Sequence, residues 1–130
     1  MNKYPLVSIL VNCYNSELYL RDCLKSLVNQ TYDNLEIVVW DNKSVDNTKN
    51  ITESFKDPRI KYYLSSSHKN LVDSRINAWK YLNGKYVAIL DSDDIACENR
   101  IKLQLEMISS NEKLAVIGGG VQYIDNHNNL

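Results

Sequence analysis

Glycine is scarce in this 130-residue chain, with four in all, and none stands between Asn12 and Glu17, just past the first apolar run. A dinucleotide-binding dehydrogenase needs Gly-x-Gly-x-x-Gly at that point so that its backbone can approach a pyrophosphate, and a P-loop needs glycines there too. Neither scheme fits. The three cysteines, Cys13, Cys23 and Cys97, are odd in number and widely spaced, which excludes a disulfide framework and a zinc knuckle and leads us to expect a reducing cytoplasm. Fifteen Lys and Arg against sixteen Asp and Glu leave a formal charge of −1, without the basic excess of a nucleic-acid binder. Any phosphate must then be met locally, by a metal or a single Arg. Long apolar runs are also missing: Leu6 to Val11 is far too short to span a bilayer and no small-residue cleavage site follows it. The expected location is cytoplasmic, with the inner face of the membrane as an alternative for a longer parent chain.

The composition is that of a folding chain, 44% hydrophobic and 24% charged, and its length suits a single domain spanning residues 1–130. Leu6 to Val11, Leu35 to Trp40 and Tyr86 to Leu90 are short runs rich in β-branched residues and apolar on both faces, as in strands of a parallel sheet covered on both sides. Ile60 to Leu64 reads as a further strand after Pro58. Leu20, Cys23, Leu24, Leu27 and Val28 recur at helical spacing, with Ser16 as the expected N-cap before Glu17. Leu71, Ser74, Ala78, Tyr81 and Leu82 give a second helix ended by Asn83-Gly84, and Ile101, Leu105 and Ile108 a third. Leu114 to Ile117 and Val121 to Asp125 read as two more strands, after which the sequence stops as if in mid-domain. Alternating strands and helices with short connections predict an α/β sheet with right-handed crossovers.

Ligands of open α/β sheets sit beyond the carboxyl ends of the strands, where the strand order reverses. The residues there are Asn12-Cys13-Tyr14-Asn15, Asp41-Asn42-Lys43-Ser44 and Asp91-Ser92-Asp93-Asp94, all polar or acidic. Three carboxylates within four residues repel one another unless a cation or protonation relieves them, so Asp91-Ser92-Asp93 suits Mg²⁺ or Mn²⁺ with phosphate oxygens completing the octahedron. A bare D-x-D triplet by itself reads first as a solvated loop capping the next helix, and spacing alone does not decide. His68 and His127 lie in polar loops with no ligand partner and read as surface histidines, and Cys13, without a paired base, reads as a core filler.

The longer strings decide between these readings. Gly84-Lys85-Tyr86-Val87-Ala88-Ile89-Leu90-Asp91-Ser92-Asp93-Asp94 resembles the strand and D-x-D segment of family 2 glycosyltransferases. So does the opening Val7-Ser8-Ile9-Leu10-Val11-Asn12-Cys13-Tyr14-Asn15, followed at the family's interval by Leu27-Val28-Asn29-Gln30-Thr31-Tyr32. The stretch from Glu36 to Thr48 is similar to the family's second strand and its D-[DN]-x-S-x-D-x-T loop. The resemblance covers nearly the whole chain. It implies a GT-A fold, a Rossmann-like, mostly parallel sheet flanked by helices and truncated after the D-x-D region, forming the nucleotide-sugar-binding part of a catalytic domain.

The same resemblance implies roles. Tyr14 would lie against the nucleotide base, Asp41 and Asn42 at the base edge, and Arg75 on the helix before the D-x-D strand would approach the nucleotide. Asn12 and Ser92 would line the nucleotide-sugar site. Asp91 would sit near ribose and metal, and Asp93 would bind the divalent cation bridging the diphosphate. The implied reaction is metal-assisted, inverting transfer of a sugar from a nucleotide-diphosphate donor to a saccharide or lipid-linked acceptor, as in cell-surface polysaccharide biosynthesis. Its catalytic base is expected beyond residue 130. Three departures stand out: Asn42 replaces the second acid of the common loop, Asn70-Leu71-Val72 replaces a Gly-rich approach to Arg75, and Ile76 replaces an Asn. An amide donates as well as accepts, so the nucleotide stays open. A non-catalytic nucleotide-sugar-binding module or fragment and a GT-A-like nucleotidyltransferase remain alternatives.

Overall fold

A computed structural model describes residues 5–125 and 127–129. Its elements follow in the order β1 (Val7–Cys13), α1 (Leu20–Val28), β2 (Leu35–Asp41), α2 (Thr48–Ser54), β3 (Ile60–Leu64), α3 (Leu71–Trp79), β4 (Tyr86–Asp91) and α4 (Arg100–Ser110). The four strands form one sheet in the order β3-β2-β1-β4, and every pairing is parallel. β1, β2 and β3 step in one direction, and the chain then crosses back to lay β4 on the other side of β1. The strand order therefore reverses between β1 and β4, where Asn12 stands in register with Asp91. This is the Rossmann-like α/β architecture that the resemblance implies.

Residue alternation along β1 and β2 divides the core in two, as runs apolar on both faces require. Ile9, Val11, Ile37 and Val39 meet Leu20, Cys23, Leu24 and Leu27 of α1 on one face, with Ile51 of α2, the adjoining Phe55 and Ile101 of α4. On the other, Leu10, Val38 and Trp40 pack on Ala78 of α3. β4 is less covered than its apolar run suggests: with β1 as its one strand neighbour among the described residues, Val87 is half-buried and Ile89 is exposed.

Polar contacts at the amino-terminal end of the sheet fix where β4 begins. Glu36, 3% exposed, accepts hydrogen bonds from the Ser8 hydroxyl, the Lys61 ammonium (2.7 Å) and both the backbone and the side chain of Asn83. Gly84 closes this turn with its N–H on Ser8 Oγ. A Cβ at position 84 would lie 2.4 Å from the Ser8 nitrogen, so only glycine fits between the two backbone segments.

Several expectations are corrected. α1 begins at Leu20, and Ser16 does not cap it: its carbonyl accepts from Tyr19 and Leu20 in a preceding turn, while its hydroxyl is taken by the Tyr14 N–H and by Ser92. α3 ends at Trp79, and its apolar pattern runs on to Leu82 through single turns from Tyr81 to Ala78 and from Leu82 to Trp79. α2 is an unforeseen two-turn helix. Residues 114–117 and 121–125 are not strands, because no described strand pairs with their backbone. Most of their side chains are exposed, Val116 at 84% and Tyr123 at 91%, with Ile117 half-buried.

Candidate nucleotide-sugar site

Three loops meet beyond the carboxyl ends of β1, β2 and β4. The β1 and β2 loops are laced together by side chains capturing backbone N–H groups. Asp41 Oδ1 accepts from Ser44 N (2.7 Å) and Ser44 Oγ from Asn15 N (2.9 Å). Asp46 accepts from Glu17 N and Thr48 N, and Thr48 Oγ1 from Ser16 N. Burial would raise the Asp46 carboxyl, but the bonds from Thr48 and Glu17 outweigh it and hold the group below its ordinary value. Asn15 and Lys43 turn these loops at φ 49° and 74°, in the left-handed region that non-glycine residues seldom enter. The lacing supplies the local bonds that hold them there.

Asp41 is buried, and its second oxygen accepts the Tyr62 hydroxyl at 2.6 Å. Burial, then that bond to Asp41, raises the Tyr62 hydroxyl well above the usual tyrosine range. Asn42 is equally committed. Its amide donates to Lys69 O (2.7 Å) and accepts from Lys69 N (3.0 Å), a two-bond clamp on the loop before α3. That loop carries His68, whose Nδ1 lies 3.1 Å from the Asn42 carbonyl and whose ring centroid lies 4.2 Å from that of Tyr14. Tyr14 itself is half-exposed. His68 is thus a neighbour of the candidate base-stacking ring, which the sequence reading missed. Asn42 and His68 lie 26 positions apart in the sequence, and nothing local signals the contact.

At the reversal of strand order, Asn12 Oδ1 accepts the Ser74 hydroxyl of α3 at 3.0 Å. From the next residue of α3, Arg75 Nη2 donates to Asp91 Oδ1 at 2.7 Å, and the Arg75 Nε is buried without a partner. Asn70 caps α3 by accepting from Asp73 N, which fixes the helix start before Arg75. Ser92 Oγ is 2.8 Å from Ser16 Oγ and ties the β4 loop to the β1 loop. Asp93 is exposed and makes no hydrogen bond or ion pair among the described residues. Burial, then the Asp93 and Asp91 charges, raise the Asp94 carboxyl, with Arg100 opposing them.

The loop after Asp94 is pinned from below. Gln30 donates to Cys97 O (2.8 Å) and to Ser26 O and accepts from Ile101 N, while the Thr31 N–H donates to Glu98 O. Gln30-Thr31 therefore positions the acidic loop, a role that the motif's residue types alone do not reveal. Cys13 and Cys23 lie beneath the site. Burial, then Cys23 and Asp41, push the Cys13 thiol far up, and burial, then Asp94, Asp93 and Asp91, raise Cys23 to about 12. Both are protonated core fillers at neutral pH, not nucleophiles.

Among the described residues no three His, Cys, Asp or Glu side chains are grouped to hold a metal by themselves. Two carboxylates with open solvent beside them, Asp91 and Asp93, nevertheless fit a hard cation that keeps waters or takes phosphate oxygens for its remaining positions. A separate cleft of about 570 Å³ runs along β4 and α4, lined by Val7, Tyr86, Ile101, Leu105 and Ala115. None of the candidate site residues lines it.

The model of the family described as Glycosyl transferase family 2 matches residues 8–130. The chain is 36% identical over 122 residues to UDP-Glc:alpha-D-GlcNAc-diphosphoundecaprenol beta-1,3-glucosyltransferase WfgD of Escherichia coli, covering 94% of this chain and 48% of that protein. It is 30% identical to glycosyltransferase GlyG of Streptococcus pneumoniae, covering 96% of this chain and 42% of that one. It thus spans about half the length of the curated relatives it matches. Among solved structures, S. aureus TarS 1-349 in complex with UDP-GlcNAc superposes with a TM-score of 0.77 at 29% identity, over 90% of this chain and 37% of that one. From the match over nearly all of its length, and from the parallel sheet whose strand-end loops gather the motif residues, it follows that the chain belongs to glycosyl transferase family 2.

Proposed function

We propose that this chain is the donor-binding part of a glycosyltransferase that uses a nucleotide-diphosphate sugar and a divalent cation, Mg²⁺ or Mn²⁺. The observation that carries this reading is the placement of Asp91 at the reversal of strand order, in register with Asn12 and 2.7 Å from Arg75. There one ligand can meet an aromatic face, a guanidinium and two carboxylates. The names of WfgD, with a UDP-glucose donor, and of TarS in complex with UDP-GlcNAc support a uridine nucleotide first.

In this reading Tyr14 stacks on the base, with Asp41 and Asn42 shaping the edge of the base site through the loops they hold. Arg75, Asn12 and Ser92 line the ribose and diphosphate, and Asp91 and Asp93 hold the cation. When bound, the cation supplies charge neutralisation of the departing diphosphate. The protein's residues orient the donor so that an acceptor hydroxyl can attack the anomeric carbon from the opposite side, with inversion. The acceptor is a saccharide or lipid-linked sugar, and no residue of this chain is assigned as the base that deprotonates it. No described helix is long and apolar enough to cross a membrane.

Calorimetric titration with a panel of nucleoside diphosphates and nucleotide sugars, with and without Mn²⁺, tests this reading. Metal-dependent binding of one nucleotide class is expected. Absence of binding across the panel would overturn it.

A further inference from the structure

We propose that Arg75 is a built-in competitor for the metal site: in the nucleotide-free protein its guanidinium occupies Asp91 and weakens cation binding there, until a nucleotide diphosphate draws it away. This rests on the donor-site reading above.

Two observations carry it. Arg75 Nη2 sits on Asp91 Oδ1 at 2.7 Å, so a carboxylate needed for the cation already has a positive partner. A cation arriving at Asp91 must displace that contact and tolerate a fixed positive charge beside it. Second, the Arg75 Nε is buried and unpartnered, which is costly for a charged donor group. The present arrangement thus leaves part of the guanidinium's hydrogen-bonding capacity unused. A phosphate offers two oxygens in the geometry of the guanidinium fork, and Nε with one Nη can engage both. Moving from Asp91 to a diphosphate would satisfy Nε and free the carboxylate together. Cation and nucleotide would then bind as a coupled pair, each improving the affinity for the other.

Asp91 is open to water, with 58% of its side chain accessible, so the ion pair is screened and the competition modest. Removing Arg75 should tighten nucleotide-free Mn²⁺ binding by roughly three- to tenfold. The test counts free Mn²⁺ by electron paramagnetic resonance as the chain is titrated, for wild type, Arg75→Met, Arg75→Lys and Asp93→Asn, each with its fold checked by circular dichroism. We expect Arg75→Met to bind Mn²⁺ more tightly than wild type without nucleotide, and to lose most of the gain that UDP gives wild type. Arg75→Lys, which keeps the charge, should stay near wild type without nucleotide. Equal Mn²⁺ affinity in wild type and Arg75→Met, or no measurable binding in either, overturns the competitor role. If Asp93→Asn instead leaves Mn²⁺ binding in the presence of UDP intact, the metal-site reading itself fails.

Discussion

Glu36 offers a quantitative test of how the sheet holds β4 and its terminal Asp91 in place. Its carboxylate is buried between the start of β1, β3 and the turn before β4. Burial alone would raise its pKa, but the bonds from Lys61, Ser8 and Asn83 outweigh that and bring it from 4.5 to about 2. At about 1.4 kcal/mol per tenfold change in ionisation, the difference corresponds to about 3 kcal/mol. Lys61 is 42% exposed, and water screens its share, so about 2 kcal/mol is the better expectation. A folded-state pKa below the unfolded value means stability that is present above pH 4.5 and lost as pH falls towards 2. Glu36→Gln keeps the size of the group but points an amide at donors that need an acceptor. Urea unfolding should show the variant less stable by about 2 kcal/mol at pH 7, with the gap to wild type shrinking as pH drops through that window. A gap under about 0.5 kcal/mol at pH 7, or one that does not change with pH, would refute the reasoning.

Gly84→Ala should destabilise by about 2 kcal/mol or more in the same assay, because its Cβ would lie 2.4 Å from the Ser8 backbone nitrogen; wild-type stability would show that the two backbone segments can separate freely. Tyr14→Ala should weaken nucleotide binding by about 1–3 kcal/mol by calorimetry while leaving the melting temperature nearly unchanged, since its ring is half-exposed. Asp93→Ala should abolish the metal dependence of nucleotide diphosphate binding. An unchanged metal response in the calorimeter would remove Asp93 from the site.

The sheet was legible because its signals are local. Strands apolar on both faces announce a parallel sheet, and β1, β2, β3 and β4 all lie where their apolar runs stand. The failures have equally definite causes. Residues 114–117 and 121–125 carry the composition of strands, but a strand exists through its partner, and sequence propensity cannot supply one. Ser16 has the right residue type for an N-cap, yet long-range partners took its hydroxyl: Ser92 lies 76 residues away. α2 was hidden because its pattern is two turns long and follows a loop of polar residues.

The candidate site divides along the same line between local and distant partners. Residue type marked Asp41 and Asn42 as polar strand-end residues, and the resemblance took in the loop on to Thr48, but neither could say whether these side chains face a ligand or one another. In the fold Asp41 and Asn42 bond inward, to Ser44, Tyr62 and Lys69, and Asp46 and Thr48 stitch two loops together. Asp93 and half of Tyr14 remain open to solvent. The motifs of this chain therefore mix groups that hold the loops with groups open to solvent. The distinction follows from saturation, since a carboxylate or amide already paired within the protein must break those bonds to bind a ligand, while a solvated one has only to exchange its water. Arg75 stands between the two kinds. Its Nη2 is spent on Asp91 and its Nε is not, which leaves it, among the described residues, the motif residue with a bond to give up and a buried donor to satisfy.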